Sequence, residues 1–350
     1  MFVSFFPQLL QGPIGRYERL GEQLYEGHAY DLKNIQFGLQ RILWGMLKKM
    51  VLADRVNAAV TLIFNNYWNY GGWINVFGVI LYSIQLYADF SGGIDITIGI
   101  AQMFGITMDE NFRQPYFSRS ISEFWRRWHI TLGTWMKDYI FYPFSLSRCM
   151  NKFGKWCKKT FGNNVGKLLP VSLANLLVFF IVGIWHGAAW KYIMYGMYNG
   201  VIIAASGMLA PVYARIHESL HINPKSWWYQ VFCIIRTFIL VNIGFYFDMA
   251  PDLHAANVML LDTVTKAHLS QISMATVKAV GLTAQDLIIV AAGCIIIFVV
   301  SVLKEKGIKI REAVASRNIV LRWFIYIVFI MFILIYGSTS TTSDFIYANF

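Results

Sequence analysis

The feature that most constrains this chain is a series of apolar stretches, each long enough to carry a helix through a lipid bilayer. They fall at about 73–101, 168–186, 190–212, 228–247, 286–303 and 321–337. Crossing the hydrocarbon layer takes about 20 such residues in a helix. A seventh helical region, 35–64, carries Arg41, Lys48, Lys49 and Asp54 and reads as partly interfacial. The first stretch is too long for one perpendicular crossing and holds Asp89, Gly92, Gly93 and Asp95, so a broken or tilted helix is expected there. Only 14% of the 350 residues are charged and 57% are hydrophobic, whereas soluble domains carry about 25% charged residues. The chain is therefore predicted to be an all-α, polytopic membrane protein.

The formal charge of +11 would point to nucleic acid in a soluble protein. Here the cations collect in two segments, 137–167 and 304–322, which four apolar stretches separate. Both then fall on one face, and the charge rule for short loops makes that face cytoplasmic. No nucleic-acid partner is expected. The segment 213–227, with Arg215 and Lys225, shares that face, and 248–285, with Asp248, Asp252 and Asp262, lies opposite. The region before residue 120 is left unassigned. Four cysteines occur without a CxxC pair, so neither a disulfide framework nor a metal site is expected. No G-x-S-x-G elbow is present, which argues against a covalent serine intermediate. The start, MFVSFFPQLLQGPIGRY, lacks the basic end and unbroken apolar core of a signal peptide and reads like the middle of a longer protein. No repeat or linker divides residues 1–350, which are read as one membrane domain.

Residues 106–136 differ in kind. Ser120 followed by Glu123 is a capping-box pattern. Beyond it Ile121, Phe124, Trp125, Trp128, Leu132, Trp135 and Met136 recur at helical spacing, opposite Arg126, Arg127 and Lys137. One amphipathic helix lying along the membrane interface is expected, with His129 at the edge of its apolar stripe.

Two of the seven histidines stand out. His186 closes an apolar stretch as GIWHGAAW, between Gly183 and Gly187, and an ionisable group in such a place is by default a functional candidate. The bland alternatives are an interfacial histidine bonded to a carbonyl for His186 and a border residue for His129. A neutral imidazole is the usual base for an attacking hydroxyl. Acyl transfer from a thioester needs that base, a donor for the developing oxyanion and a site that holds both substrates. His186 would be the base, while His129, or Asn and Trp donors around it, would orient substrate or stabilise charge. Asp89 and Asp95 keep open a rival class, an ion or polymer transporter. Their structural alternative is pairing with Arg113, Arg126 or Arg236, or a helix-end contact near Ser91–Gly93. Arg236, within an apolar stretch, needs a counter-charge or carbonyls.

The stretch LYADFSGGIDITIGIAQMFGITMDENFRQPYFSRSISEFWRRWHITLGTWMKDYIFYP resembles the central motif of membrane-bound O-acyltransferases. It is most similar to the bacterial branch of alginate O-acetyltransferases and teichoic acid D-alanyl transferases. FFPQLLQGPIGRY and GIWHGAAW match two further motifs in order, and SDFIYANF looks like the usual ending of that branch. The resemblance implies that His186 is the catalytic histidine and His129 the family's second histidine. It implies a ring of tilted transmembrane helices around a thin central layer, crossed by a tunnel from a cytoplasmic donor site to an outer acceptor site. The implied activity is transfer of an acyl group, acetyl in the first instance, to a hydroxyl of an extracytoplasmic polysaccharide or envelope polymer. D-alanyl transfer to teichoic acid is the alternative. The donor would be an acyl thioester, acetyl-CoA or the phosphopantetheine of an acyl carrier protein, with no tightly bound cofactor. Implied partners are the bilayer, the polysaccharide acceptor and an extracytoplasmic acyltransferase partner, and the implied location is the bacterial inner membrane. Two departures stand out. Family members carry several membrane helices before the FFPQ-like motif, here at residue 4, so an N-terminally shortened chain is expected. In GFYFDMAPDL, Asp248 stands in place of an arginine found in the FFRA-like motif of alginate-type members.

Overall fold

The computed structural model describes residues 1–338 apart from Leu10 and Ile272, and the main chain alone of Asn164. SDFIYANF lies outside the described residues. In chain order the principal helices are α1 (Leu32–Met46), a π-helical run at Leu47–Ala53, α2 (Asp54–Asn65), α3 (Trp73–Met103), α4 (Ile121–Arg127), α5 (Ile130–Met136), α6 (Arg148–His186), α7 (Trp190–Met208), α8 (Ala210–Ser219), α9 (Trp227–Met249), α10 (Leu253–Thr265), α11 (Ala284–Glu305) and α12 (Ile319–Tyr336). There is no strand among the described residues; a single isolated bridge pairs Phe112 with Trp128. Among the described residues, five helical segments are long and apolar enough to cross a membrane: α3, the Val165–His186 part of α6, α9, α11 and α12. The pair α7 and α8, bent by 56°, adds a sixth. The protein is an all-α, polytopic membrane protein, with spans where the apolar stretches predicted them.

Residue contacts gather into two compact units, Met1–Asn111 with Leu261–Phe350, and Phe112–Leu260. In the first, α3 runs for 31 residues without a break, about 46 Å at 1.5 Å per residue. Its acidic residues do not interrupt it because they are paired. Asp95 accepts from Lys48 at 2.5 Å and Arg41 at 2.8 Å, and Asp89 accepts from Lys49 at 2.6 Å. Lys49 also holds Asp54 at 2.8 Å, and Arg41 holds Glu110. Where the sequence pointed to Arg113, Arg126 and Arg236, the fold supplies Arg41, Lys48 and Lys49. Residues 35–64, expected to be partly interfacial, pack on α3 and bring the cations in; Leu47, Val51, Leu52 and Val56 are wholly buried. Such pairs are costly to break, about 3–5 kcal/mol when one buried charge loses its partner.

Glycines set how closely α1 and α3 approach. A Cβ on Gly38 would stand 2.6 Å from the Gly99 carbonyl oxygen, and one on Gly45 would stand 2.5 Å from that of Gly92. No side chain fits at either crossing.

In the second unit the basic stretch after residue 147 is helix, not loop. At Gly162 the chain adopts φ 78, a left-handed conformation that glycine takes without a Cβ clash. The helix then doubles back: a Cβ on Gly166 would lie 2.4 Å from the Cα of Lys158, and Gly154 sits against Pro170. The expected amphipathic helix of residues 120–136 is likewise divided. Ser120 does cap its start, accepting from the Glu123 N–H at 3.1 Å, while Glu123 reaches back to the Arg119 N–H. The helix stops at Arg127, because the neighbouring segment takes over its main chain. The Arg113 N–H donates to the Arg127 carbonyl at 2.9 Å, and Trp128 bridges to Phe112. Ile121, Phe124, Trp128, Leu132 and Met136 keep their helical-face role and are buried within the unit, so this stripe does not lie free on a membrane surface.

Candidate active site

The break between α4 and α5 creates the position of His129. Trp128 is extended and His129 is left-handed, φ 46 and ψ 53, serving as the N-cap of α5. A non-glycine residue in that conformation is uncommon. The turn sends the imidazole inward, where it is 6% exposed. Burial, with the neighbouring His186 adding to it, pushes the His129 pKa down from its usual 6.5 to about 3. The ring is therefore neutral at pH 7.

His186 is the last residue of α6, and Gly187 turns the chain at φ 142 toward α7. A Cβ on Gly187 would meet the Tyr192 ring at 2.9 Å, so the missing side chain lets Tyr192 fold over the histidine. The Tyr192 ring lies nearly parallel to the imidazole, 28° at 6.0 Å between centroids, and Tyr195 meets it edge-on at 5.4 Å. Trp185 links the two histidines, 5.7 Å from the His129 ring and 5.1 Å from His186. Both sequence-predicted residues thus belong to one buried cluster.

A third group was not anticipated. Asp248, in the last turn of α9, brings Oδ1 to 3.8 Å from His186 Nδ1, with both side chains buried. Lys191, in the first turn of α7, donates to the main-chain carbonyls of Asp248 at 3.2 Å and Ala250 at 2.7 Å. Its ammonium also sits over the Tyr192 ring at 4.5 Å. The signal for Asp248 was available: a carboxylate at the end of an apolar stretch is expensive to bury alone.

Beside His129 opens a cavity of about 550 Å3, walled mainly by Phe179, Val182, Leu132 and Met136, with Arg126 and Lys137 among its lining. A space of that size suits a small-molecule ligand. Trp125 also lines it, but its indole N–H donates to Asn199 at 3.1 Å, and the Asn199 amide donates to the Tyr195 carbonyl at 2.9 Å. That chain braces Tyr195 against His186. Arg236 finds a carbonyl, that of Arg119, at 2.8 Å.

One metal-type spacing does occur in the sequence: His217, Glu218 and His221 read as H-E-x-x-H, a pattern that presents two ligands from one helical face. The fold breaks it. Helix α8 ends at Ser219, His221 is left-handed at φ 49, and His217 Nε2 is bonded to the Tyr229 hydroxyl at 2.6 Å. No cluster of three His, Cys, Asp or Glu among the described residues is arranged to hold a metal ion.

The family model for MBOAT, the membrane-bound O-acyltransferase family, matches residues 1–243. Among relatives, the "Probable alginate O-acetylase AlgI" of Pseudomonas syringae pv. tomato is 34% identical over 74% of this chain and 44% of its own length. The "Peptidoglycan O-acetyltransferase" of Helicobacter pylori is 32% identical over 77% of this chain and 48% of its own. The "Teichoic acid D-alanyltransferase" of Bacillus subtilis is 30% identical over 72% of this chain and 61% of its own. The chain spans about half the length of the curated relatives it matches.

Proposed function

The chain belongs to the membrane-bound O-acyltransferase family, and on that basis we propose that it transfers an acyl group, acetyl in the first instance, from a thioester to a hydroxyl of a cell-envelope polymer. The names of its relatives supply the acceptor class: alginate, peptidoglycan and teichoic acid. A bacterial inner membrane is the setting that joins a cytoplasmic donor to an outer polymer. The donor is acetyl-CoA or a carrier-bound phosphopantetheine thioester, and a separate extracytoplasmic protein completes delivery to the polymer.

The observation that carries this reading is the buried pair of histidines joined through Trp185, one of which, His129, lines a cavity. In the reaction, a nitrogen of His186 accepts the proton of the acceptor hydroxyl as its oxygen bonds to the thioester carbonyl carbon. The carbonyl π electrons move to oxygen, then return as the carbon–sulfur bond breaks. The leaving thiolate takes the proton back from the imidazolium. His129, neutral at pH 7, supplies a ring N–H for the developing oxyanion, and the apolar walls of the cavity keep water from competing with the acceptor. The ion pairs of Asp89 and Asp95 give those carboxylates a structural task, which favours the enzyme over the transporter.

The test is His186→Ala in cells whose only copy is the variant, at matched membrane abundance. Loss of a general base lowers rate by about 10²–10⁴-fold, so base-labile acyl ester on the envelope polymer should fall to background. Near-normal acylation overturns the assignment.

A further inference from the structure

We propose that Asp248 is a positioning residue for His186, turning its Nδ1–H toward the carboxylate so that the Nε2 lone pair faces the acceptor hydroxyl. The inference rests on the acyl-transfer reading above. It goes beyond the family match, which ends at residue 243. The ends of three helices converge here: the last residue of α6 carries His186, the first turns of α7 carry Lys191, Tyr192 and Tyr195, and the last turn of α9 carries Asp248. Asp248 Oδ1 lies 3.8 Å from the ring's Nδ1, and both side chains are about 95% buried. That is longer than a hydrogen bond, but catalytic contacts of this kind often tighten only in the substrate complex.

The setting holds the carboxylate in register. The Lys191 ammonium ties the carbonyls of Asp248 and Ala250 to the start of α7, and the next residue, Tyr192, stacks on the imidazole. Movement of Asp248 away from the ring would therefore strain a contact that also aligns the ring's stacking partner. A neutral imidazole has one N–H and one lone pair, and which nitrogen carries which is set by what the other nitrogen meets. A carboxylate at Nδ1 favours the proton there. The base nitrogen, Nε2, then carries the lone pair, on the opposite side of the ring.

The test reads the tautomer directly and needs no substrate. The whole chain is labelled with 15N-histidine and placed in lipid nanodiscs, and the His186 resonances are assigned by their loss in His186→Asn. We expect the proton on Nδ1 in the wild type, redistribution toward Nε2 in Asp248→Asn, and return of the wild-type pattern in Asp248→Glu. With acetyl-CoA as probe and thiol release as readout, Asp248→Asn should lower kcat about 10–100-fold, the usual cost of losing an orienting group behind a catalytic one, with KM changed less than about twofold. Asp248→Glu should recover part of kcat. An unchanged His186 tautomer in a folded Asp248→Asn protein overturns the inference, as does an unchanged kcat. If His186→Ala is inactive in that same series, the acyl-transfer reading survives such a failure; if His186→Ala is fully active, both fall.

Discussion

His129 occupies a backbone conformation that its residue type rarely chooses, and the reason is visible in its neighbours. With the Arg127 carbonyl taken by Arg113 and Trp128 bridged to Phe112, the chain must reverse within one residue before α5 can begin. Left-handed geometry costs a non-glycine residue about 1–2 kcal/mol, and asparagine bears it better than most. His129→Asn is therefore the substitution that removes the imidazole while sparing the turn. We expect it to insert and fold normally and to lose most of its acyl transfer, checked by polymer acylation at matched abundance; normal turnover would return His129 to a packing role. The ring also carries a pH signature. Its folded pKa, about 3, lies below the usual 6.5 because burial disfavours the charge. Between those values the unfolded chain binds a proton that the folded one does not, so this residue's contribution to stability falls as pH drops from about 6.5 toward 3. The thermal midpoint of purified wild type should decline over that window, and the decline should be shallower in His129→Asn. Equal slopes would show that His129 is not buried neutral.

At the scale of elements, the α1–α3 pair depends on glycines facing carbonyls. Gly45 lies against the Gly92 carbonyl and Gly38 against the Gly99 carbonyl, and the same approach seats Lys48 and Arg41 on Asp95. Gly45→Val would push the helices apart by the width of a side chain and lengthen those ion pairs at once. We expect it to accumulate poorly or aggregate in detergent, read by size-exclusion profile and thermal midpoint; a monodisperse protein with an unchanged midpoint would refute the packing account. Much of this level was legible in the sequence. Apolar length marked the spans, because the bilayer imposes it residue by residue. What remained hidden depended on contacts between distant segments. The sequence marked Lys48 and Lys49 as polar intrusions, yet only packing reveals that they meet Asp95 and Asp89. The helical period of residues 121–136 was real, but the main-chain bond from Arg113 that splits it has no local signature. The basic stretch after residue 147 was read as loop from its charge, whereas Gly162 folds it back as helix along the following span. Likewise GIWHGAAW exposed His186 as a candidate, while Asp248, 62 positions on, joins it only because α9 ends where α6 does.

For the whole molecule the decisive quantity is the number of crossings between its basic segments. From Lys155 to Lys309 the chain passes through Val165–His186, the bent α7–α8 pair, α9 and α11. If the bent pair counts as one crossing, there are four, and both lysines return to one face. The segment after α10 is then on the other. The charge distribution agrees, since lysine and arginine in short loops hold a face in the cytoplasm. The alternative is that α7 and α8 enter and leave on one side, making three crossings and separating Lys155 from Lys309. Single cysteines at Lys155, Thr265 and Lys309, all exposed positions, distinguish these in a background where Cys149, Cys157, Cys233 and Cys294 are replaced by alanine. We expect a membrane-impermeant maleimide added to intact spheroplasts to label Thr265→Cys alone, and the other two to react once the membrane is opened. Labelling of Lys155→Cys and Lys309→Cys from opposite sides would establish a re-entrant α7–α8 pair. His186 closes the crossing that precedes that pair, so the side from which Lys155→Cys is labelled also fixes the face from which the acceptor hydroxyl reaches its base.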